Sequence, residues 1–405
     1  MNQREVSLQP FSLEIPRAGK VLFSLLSRLR HGRLDVIAPD GQTLSFPGEL
    51  PGPDAQLHLS DWSLVGDVMR SGDVGFAEGY MDGRWDTPDL AALLYLCASN
   101  RSALHRALYG SWFGRTYYRL RHLMRANTRD GARKNIHAHY DLGNDFYRAW
   151  LDSSMTYSAG LFRDRPGMTL EQAQQAKYER ILDALGVRED QTVLEIGCGW
   201  GGFAEYAART RGCRVYGITL SAAQLEYGQA RIREAGLSDL VTLSLTDYRD
   251  VGGSYDCLVS IEMFEAVGER FWPEYFRVVG ERLKPGGRAM IQTITIADEL
   301  FSDYRRGTDF IQQYVFPGGM LPSPAAFRRQ ARAAGLESGE TLLFGGDYAE
   351  TLRRWRLRYA EVAAGLRPLG FDARFERLWN FYLAYCEAGF RAGCTDVMQV
   401  ELRRA

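Results

Sequence analysis

Two carboxylates interrupt an apolar run. In DCLVSIEMFEAVG, residues 256–268, Glu262 and Glu265 stand where a buried strand normally ends without charge. Either the strand end reaches solvent, or the pair belongs to a site that moves protons. A second cluster lies upstream, where LEIGCGWGGFAEYAA carries Gly197, Gly199 and Gly202 between a strand-like and a helix-like segment. G-x-G-x-x-G makes a tight turn and lets the backbone approach a ligand at a helix N-terminus, although a glycine turn holding nothing fits the same text.

Two details bear on the ligand. A nicotinamide site wants an acid about twenty residues on, at the end of the second strand. Here that strand ends ITLS, with Thr219 and Ser221. Glu195 instead precedes the first glycine, and Asp247 and Tyr248 follow one strand later, a carboxylate for an adenine amino group with a ring beside it. Acid-x-Gly-x-Gly with a third-strand Asp resembles the S-adenosylmethionine loop of Rossmann-like methyltransferases rather than a dehydrogenase fingerprint.

The elements that must position these residues alternate. A helix is expected from Thr169 to Leu185, then TVLEIG as a strand, GFAEYAART as a helix, RVYGITL as a strand and a helix over 222–235. LVTLSLTD and YDCLVSIEM read as strands, 271–283 as a helix, and RAMIQTIT as a strand after the KPGG turn. This alternation predicts a parallel sheet covered on both faces. Residues 1–100 read as a smaller α+β domain: GRLDVIAPDG and QTLSFPG form two strands about an Asp-Gly turn, and DLAALLYLCAS closes the domain as a helix. Residues 101–135 form a linker whose stretch to Lys134 carries nine Arg or Lys against one acid, with Tyr109, Trp112, Phe113, Tyr117 and Tyr118 interleaved. The fold class is therefore α/β, a Rossmann-like domain over 136–405 preceded by a small α+β domain.

Bulk composition narrows the classes. A chain of 405 residues with net charge −1 is too long for one core and has no global field for nucleic acid. Six scattered cysteines show no C-x-x-C pair and no metal spacing, which reads as reduced thiols in a cytosolic protein. No stretch has the length and apolarity of a membrane span, and MNQREVSLQPFSLEIPRAGK is no secretory signal.

Five segments carry a family resemblance: HYDLGNDFYRAWLDSSMTYSAGLF (139–162), VLEIGCGWGG (193–202), ITLSAAQ (218–224), MFEAVG (263–268) and FIQQYVFPGGMLPS (310–323). Together they resemble the cyclopropane-fatty-acyl-phospholipid synthase family from about residue 135 to the C-terminus. The front domain and basic linker resemble, more loosely, the lipid-facing domain of bacterial members. The resemblance implies methyl transfer from S-adenosylmethionine to the cis double bond of an unsaturated phospholipid. It places cofactor contacts on Tyr157, Ser158, Gly197, Gly199, Thr219, Gln224, Asp247 and Tyr248, though Thr219 and Ser221 could equally cap the next helix. It also implies a bicarbonate base, held by Glu265 and Tyr348, and a homodimer.

Departures stand beside the matches. The family's Cys is Ala159 here, its His is Gln292, and Ala266 follows Glu265 where many members have His. Gln can donate to an anion but cannot share a proton at neutral pH. Three outcomes stay open: the anion binds, Glu265 itself takes the proton, or the cation resolves into a methylene- or methyl-branched chain. Glu262 has no role in the family and is expected to be structural. Tyr304, Phe310, Tyr314 and the 316–319 stretch either line an acyl channel or pack the core. The basic aromatic linker suits peripheral docking on an anionic inner-membrane surface. Competing classes are a lipid carrier with a relic cofactor pocket and a methyltransferase for a small soluble acceptor.

Overall fold

The computed structural model describes residues 16–104 and 142–404, apart from 164 and 166. The basic aromatic linker lies outside the described residues from 105 to 141. The chain forms two compact units, Met1–Arg115 and Thr116–Ala405.

In the first unit the elements are α1 (Arg17–Leu26), β1 (His31–Ile37), β2 (Thr43–Pro47), β3 (Leu50–Leu59), α2 (Ser63–Ser71), α3 (Asp73–Met81), β4 (Trp85–Asp86) and α4 (Leu90–Ser99). The sheet order is β2-β1-β3-β4. The expected hairpin is β1–β2, antiparallel. The sequence reading did not include β3, which pairs parallel with β1. Asp89 caps α4 through the amide of Ala92, so the closing helix starts where its polar-to-apolar boundary falls.

The second unit runs α5 (Asn144–Trp150), α6 (Leu170–Leu185), β5 (Thr192–Ile196), α7 (Gly202–Arg211), β6 (Arg214–Thr219), α8 (Ala222–Glu234), β7 (Val241–Leu245), β8 (Tyr255–Ile261), α9 (Trp272–Arg282) and β9 (Leu283–Ile296). There follow α10 (Asp298–Arg306), α11 (Pro324–Ala333), β10 (Leu336–Leu343), α12 (Gly345–Val362), α13 (Ala373–Arg391) and β11 (Thr395–Arg404). Seven strands form one sheet in the order β10-β11-β9-β8-β5-β6-β7.

The expected parallel sheet needs correction at one edge. β5 to β9 are parallel, but β11 runs antiparallel between β9 and β10. β10 is LESGETLL, and TDVMQVELRR of β11 mixes charges into its run, so neither has the plain apolar text of a buried parallel strand.

Burial alternates with period two on both faces. Leu194, Leu258, Ala289, Ile291, Met398 and Val400 pack in one core with residues of α9 and α11. Val193, Cys257, Val259 and Met290 pack in the other with Ile181, Leu182 and Leu185 of α6 and Phe203 of α7. By the same alternation Glu195, Gln292 and Gln399 belong to the α6 face.

Candidate active site

The glycine loop leaves β5 and enters α7, as its text demands. Gly197 and Gly199 hold φ of 86° and 51°, in the left-handed region that glycine tolerates best. A Cβ on Gly197 would lie 2.9 Å from Met263, whereas one on Gly199 would meet open space. Asn144, inside the 139–162 motif, pins the loop: its Oδ1 accepts from Trp200 Nε1 at 2.8 Å and its Nδ2 donates to the carbonyl of Ala223 at 3.1 Å.

One cavity joins the loop to the far carboxylate. Its lining includes Tyr157, Ser158, Glu195, Gly197, Gly199, Thr219, Gln224, Tyr248 and Glu262. Seven of the eight expected cofactor contacts therefore meet on one surface. Asp247 is the exception: it is absent from that lining, and its carboxylate pairs with Arg249 at 2.8 and 2.6 Å. Thr219 Oγ1 donates to Gln224 at 3.1 Å, and Ser221 caps α8 by accepting from the Gln224 amide at 3.3 Å. The capping alternative thus holds for Ser221, while Thr219 orients Gln224.

S-adenosylmethionine fits this surface on its own chemistry. The glycine turn offers backbone at close approach. Glu195 is buried, with its Oε2 unpaired among the described residues, an acceptor suited to a cationic donor such as the cofactor's ammonium group. Burial pushes the Glu195 carboxyl up to about 8, against the pull of Lys177.

The acid end departs most from expectation. Tyr348 and Gln292 do not converge on Glu265; they converge on Glu262. Glu262 Oε1 accepts from the Ala159 amide at 2.9 Å and from Gln292 Nε2 at 2.7 Å. Oε2 accepts from the Tyr348 hydroxyl at 2.6 Å. Oε1 is thereby filled, and Oε2 keeps a lone pair for a proton. The expectation that Glu262 is an ordinary structural carboxylate is corrected: it lines the cavity and gathers these donors.

Its backbone agrees. Glu262 holds φ of +50°, a strained conformation outside glycine and one that persists only where its surroundings enforce it. The Glu262 amide donates to the Gln292 carbonyl at 2.8 Å, which locks the kink to the end of β9.

Glu265 turns the other way. Its Oε1 accepts from Thr293 Oγ1 at 3.0 Å and from the Ile294 amide, while Oε2 is buried and unpaired among the described residues. Burial, then repulsion from Glu262, pushes its carboxyl up to about 8. Burial also raises Glu262, but Lys177 and the donors from Tyr348, Ala159 and Gln292 oppose that rise. The two environments differ: a cation, Lys177, is among the groups that oppose the rise at Glu262, and no cation opposes it at Glu265.

Sequence reading also missed Lys177. It is wholly buried on α6 and donates to Ser158 Oγ and to Gln174 Oε1. Gln174 Nε2 in turn holds the Ser158 carbonyl at 2.8 Å. Burial pulls the ammonium down to about 7, against the attraction of Glu262, Asp152 and Glu195. The signal was in the spacing: Lys177 stands four residues after Ala173 and four before Ile181, on the apolar face of α6.

Aromatic rings close the surround. Tyr348 lies 4.5 Å from Phe390 and 6.2 Å from Trp355 between ring centroids, and Tyr157 shares a 2.6 Å hydrogen bond with Tyr382. The acyl-channel residues resolve toward packing: Phe310 is fully buried against Phe381 and Tyr385. Tyr304 shares a 3.1 Å hydrogen bond with Gln312 and accepts from the Leu321 amide at 3.2 Å.

A Rossmann-like cofactor pocket ending in an aromatic, donor-rich carboxylate site defines an S-adenosylmethionine-dependent methyltransferase. Residues 127–400 match the mycolic acid cyclopropane synthetase family, and the chain belongs to it. It is 40% identical over 382 residues to the tuberculostearic acid methyltransferase UfaA1 of Mycobacterium tuberculosis, covering 92% of this chain and 88% of that one. It is 34% identical over 351 residues to the cyclopropane-fatty-acyl-phospholipid synthase of Escherichia coli, covering 86% and 88%. The solved cyclopropane synthase MmaA2 of M. tuberculosis superposes with a TM-score of 0.63 at 30% identity, over 67% of this chain and 97% of that one. The mycolic acid cyclopropane synthase CmaA1, solved with S-adenosylhomocysteine and CTAB, matches to the same extent. The protein is a lipid-modifying methyltransferase.

Proposed function

We propose that this enzyme methylates the cis double bond of an unsaturated phospholipid acyl chain, that Glu262 takes the proton, and that the product is a methylene-branched chain. The observation that carries the reading is the gathering of Tyr348, Gln292 and the Ala159 amide on Glu262, a carboxylate that also lines the cofactor cavity. When bound, S-adenosylmethionine supplies an electrophilic methyl group. Ser158, held by Lys177 and Gln174, and the glycine loop would hold it in the cavity that Glu262 also lines.

The alkene would supply both electrons of the new carbon–carbon bond to the methyl carbon, whose bond to sulfur breaks with its electron pair left on sulfur, leaving a cation on the neighbouring chain carbon. A hydride shift moves that cation to the methylated carbon. Loss of a methyl proton to Glu262 Oε2 then leaves an alkene carrying the new carbon. The Tyr348, Trp355 and Phe390 rings exclude water and present faces that tolerate the cation. Tyr348 remains a hydroxyl donor throughout, since burial and Glu262 hold its proton well above the usual phenol range.

A bound bicarbonate is unnecessary in this reading, because a side-chain carboxylate already receives the donors. The 40% match, over nearly the whole chain, to a protein named as a methyltransferase of tuberculostearic acid rather than as a cyclopropane synthase supports methyl transfer without ring closure. The second reading, ring closure, draws on the 34% match to the E. coli synthase. It differs only in that the methyl proton leaves before the hydride moves, so the C–H electron pair forms the third ring bond.

One incubation separates them: protein, S-adenosylmethionine and cis-unsaturated anionic vesicles, with product fatty acids weighed before and after mild hydrogenation. A product one CH₂ heavier that takes up hydrogen is the branched alkene; one that takes up none is the ring, and overturns the branched assignment. Peripheral docking at the cytoplasmic membrane face, through the basic linker, and homodimerisation belong to the same reading. No helix among the described residues is long and apolar enough to cross a membrane. Vesicle binding should weaken with salt, and sedimentation should give twice the chain mass.

A further inference from the structure

The antiparallel edge strand reaches the site through a row of amides. Gln399 on β11 lies directly opposite Gln292 on β9, and both are fully buried. Gln399 Nε2 donates to Gln292 Oε1 at 2.9 Å, and Gln292 Nε2 donates to Glu262 Oε1 at 2.7 Å. At the outer end Arg180 of α6 donates from Nη1 to Gln399 Oε1 at 2.6 Å. Its other Nη pairs at 2.7 Å with Glu340, whose side chain is 69% exposed. The row thus runs from the surface to the carboxylate.

An amide turned end for end keeps its shape but exchanges donor for acceptor. A glutamine beside Glu262 could therefore present either its N–H or its carbonyl. A guanidinium has donors only. Arg180 obliges Gln399 to aim its oxygen outward, which aims its N–H at Gln292 Oε1. Gln292 must then aim its own N–H at Glu262. The sense of the whole row is set at its outer end.

We infer that Arg180, acting through Gln399 and Gln292, is a positioning residue that keeps a donor on Glu262 and thereby sets the proton affinity of the base. The inference deepens the proposed function and rests on Glu262 being the proton acceptor. No proton travels along the row. The other titratable groups facing Glu262 are Lys177 from α6, Tyr348 from α12 and Glu265 from the turn after β8. None of these touches Gln399 by a hydrogen bond among the described residues, so cutting the row changes one donor and leaves them in place.

The sign follows. A donor favours the ionised carboxylate; losing it leaves Glu262 protonated at higher pH, so the acidic limb of kcat must move up. The test is kcat and KM against pH for the full chain, with S-adenosylmethionine and phosphatidylglycerol vesicles bearing cis-monounsaturated chains. Arg180→Met and Gln399→Met should each raise the acidic limb by about one pH unit, which is about tenfold in kcat below it, with KM for the cofactor unchanged. Gln399→Met keeps the Arg180 charge, so an equal shift assigns the effect to the row rather than to a lost charge. Arg180→Lys, another donor-only cation, should restore the wild-type limb. Thermal stabilisation by S-adenosylmethionine identifies the folded variants, and either Met variant alone suffices. An unmoved limb, with Glu262→Gln inactive, overturns the role of the row. Wild-type turnover in Glu262→Gln overturns Glu262 as base instead.

Discussion

The two ends of the catalytic cavity are built on opposite plans. The cofactor end is centred on a local turn: Gly197, Gly199 and Glu195 lie within five residues, and their geometry is backbone geometry between a strand and a helix. The acid end is assembled from distant chain. Glu262 is reached by Ala159, 103 residues away, by Gln292, 30 away, and by Tyr348, 86 away. A local site fails through its backbone, whereas a dispersed one fails through any single partner.

Breaking the acid end at its centre should have the largest effect. Glu262→Gln keeps the shape but removes the proton acceptor, so turnover should fall by about 10²–10⁴-fold. Thermal stabilisation by S-adenosylmethionine should persist, because the cofactor end is intact; turnover at the wild-type rate would remove Glu262 from the mechanism. Gly197→Ala breaks the other end. The added Cβ meets Met263 at 2.9 Å with φ at +86°, a strain of about 1–3 kcal/mol. Cofactor affinity measured by calorimetry should weaken tenfold or more, and unchanged affinity would show that the turn does not carry binding.

Tyr348→Phe sharpens the contrast by removing one donor of the dispersed set. A hydrogen bond to a charged group is worth about 1.5–3 kcal/mol, so kcat should fall roughly ten- to a hundredfold with cofactor binding unchanged. A drop in affinity instead would tie Tyr348 to the cofactor end.

The smallest catalytic effect belongs to Glu265→Gln, expected within a few-fold of wild type. Its signature is stability. Burial raises the folded carboxyl to about 8 from an ordinary 4.5, so between those values the folded state binds more protons than the unfolded state. Stability must then fall as pH rises through that window. Glu195, also raised to about 8, contributes in the same sense. The melting temperature of the wild type should therefore fall from pH 5 to pH 8, and Glu265→Gln should flatten part of that slope. An identical slope would show that Glu265 is ionised in the folded state.

The sequence reading reached as far as chain-local physics extends. Alternating apolar periods located β5 to β9 and the helices between them, and the glycine spacing marked the turn between β5 and α7. Seven of the eight residues expected to contact the cofactor line one cavity, since strand order in a Rossmann-like sheet brings the strand ends together. Asp247 stands outside that lining, its carboxylate paired with Arg249 two residues on.

Which glutamate gathers the donors was decided elsewhere. Glu262 and Glu265 look alike in EMFEAVG, and only the kink at φ +50° aims the first at Tyr348 and Gln292 while the second folds onto Ile294. Lys177 falls on the apolar stripe of α6 and is buried with three carboxylates around it. Gln399 gave no signal, because its role depends on β11 running antiparallel in one register against β9. Residue type and period determine backbone conformation and which face is apolar. The polarity of a buried amide and the charge of a buried carboxylate depend on groups scores of residues away, and only the packed sheet brings those into contact.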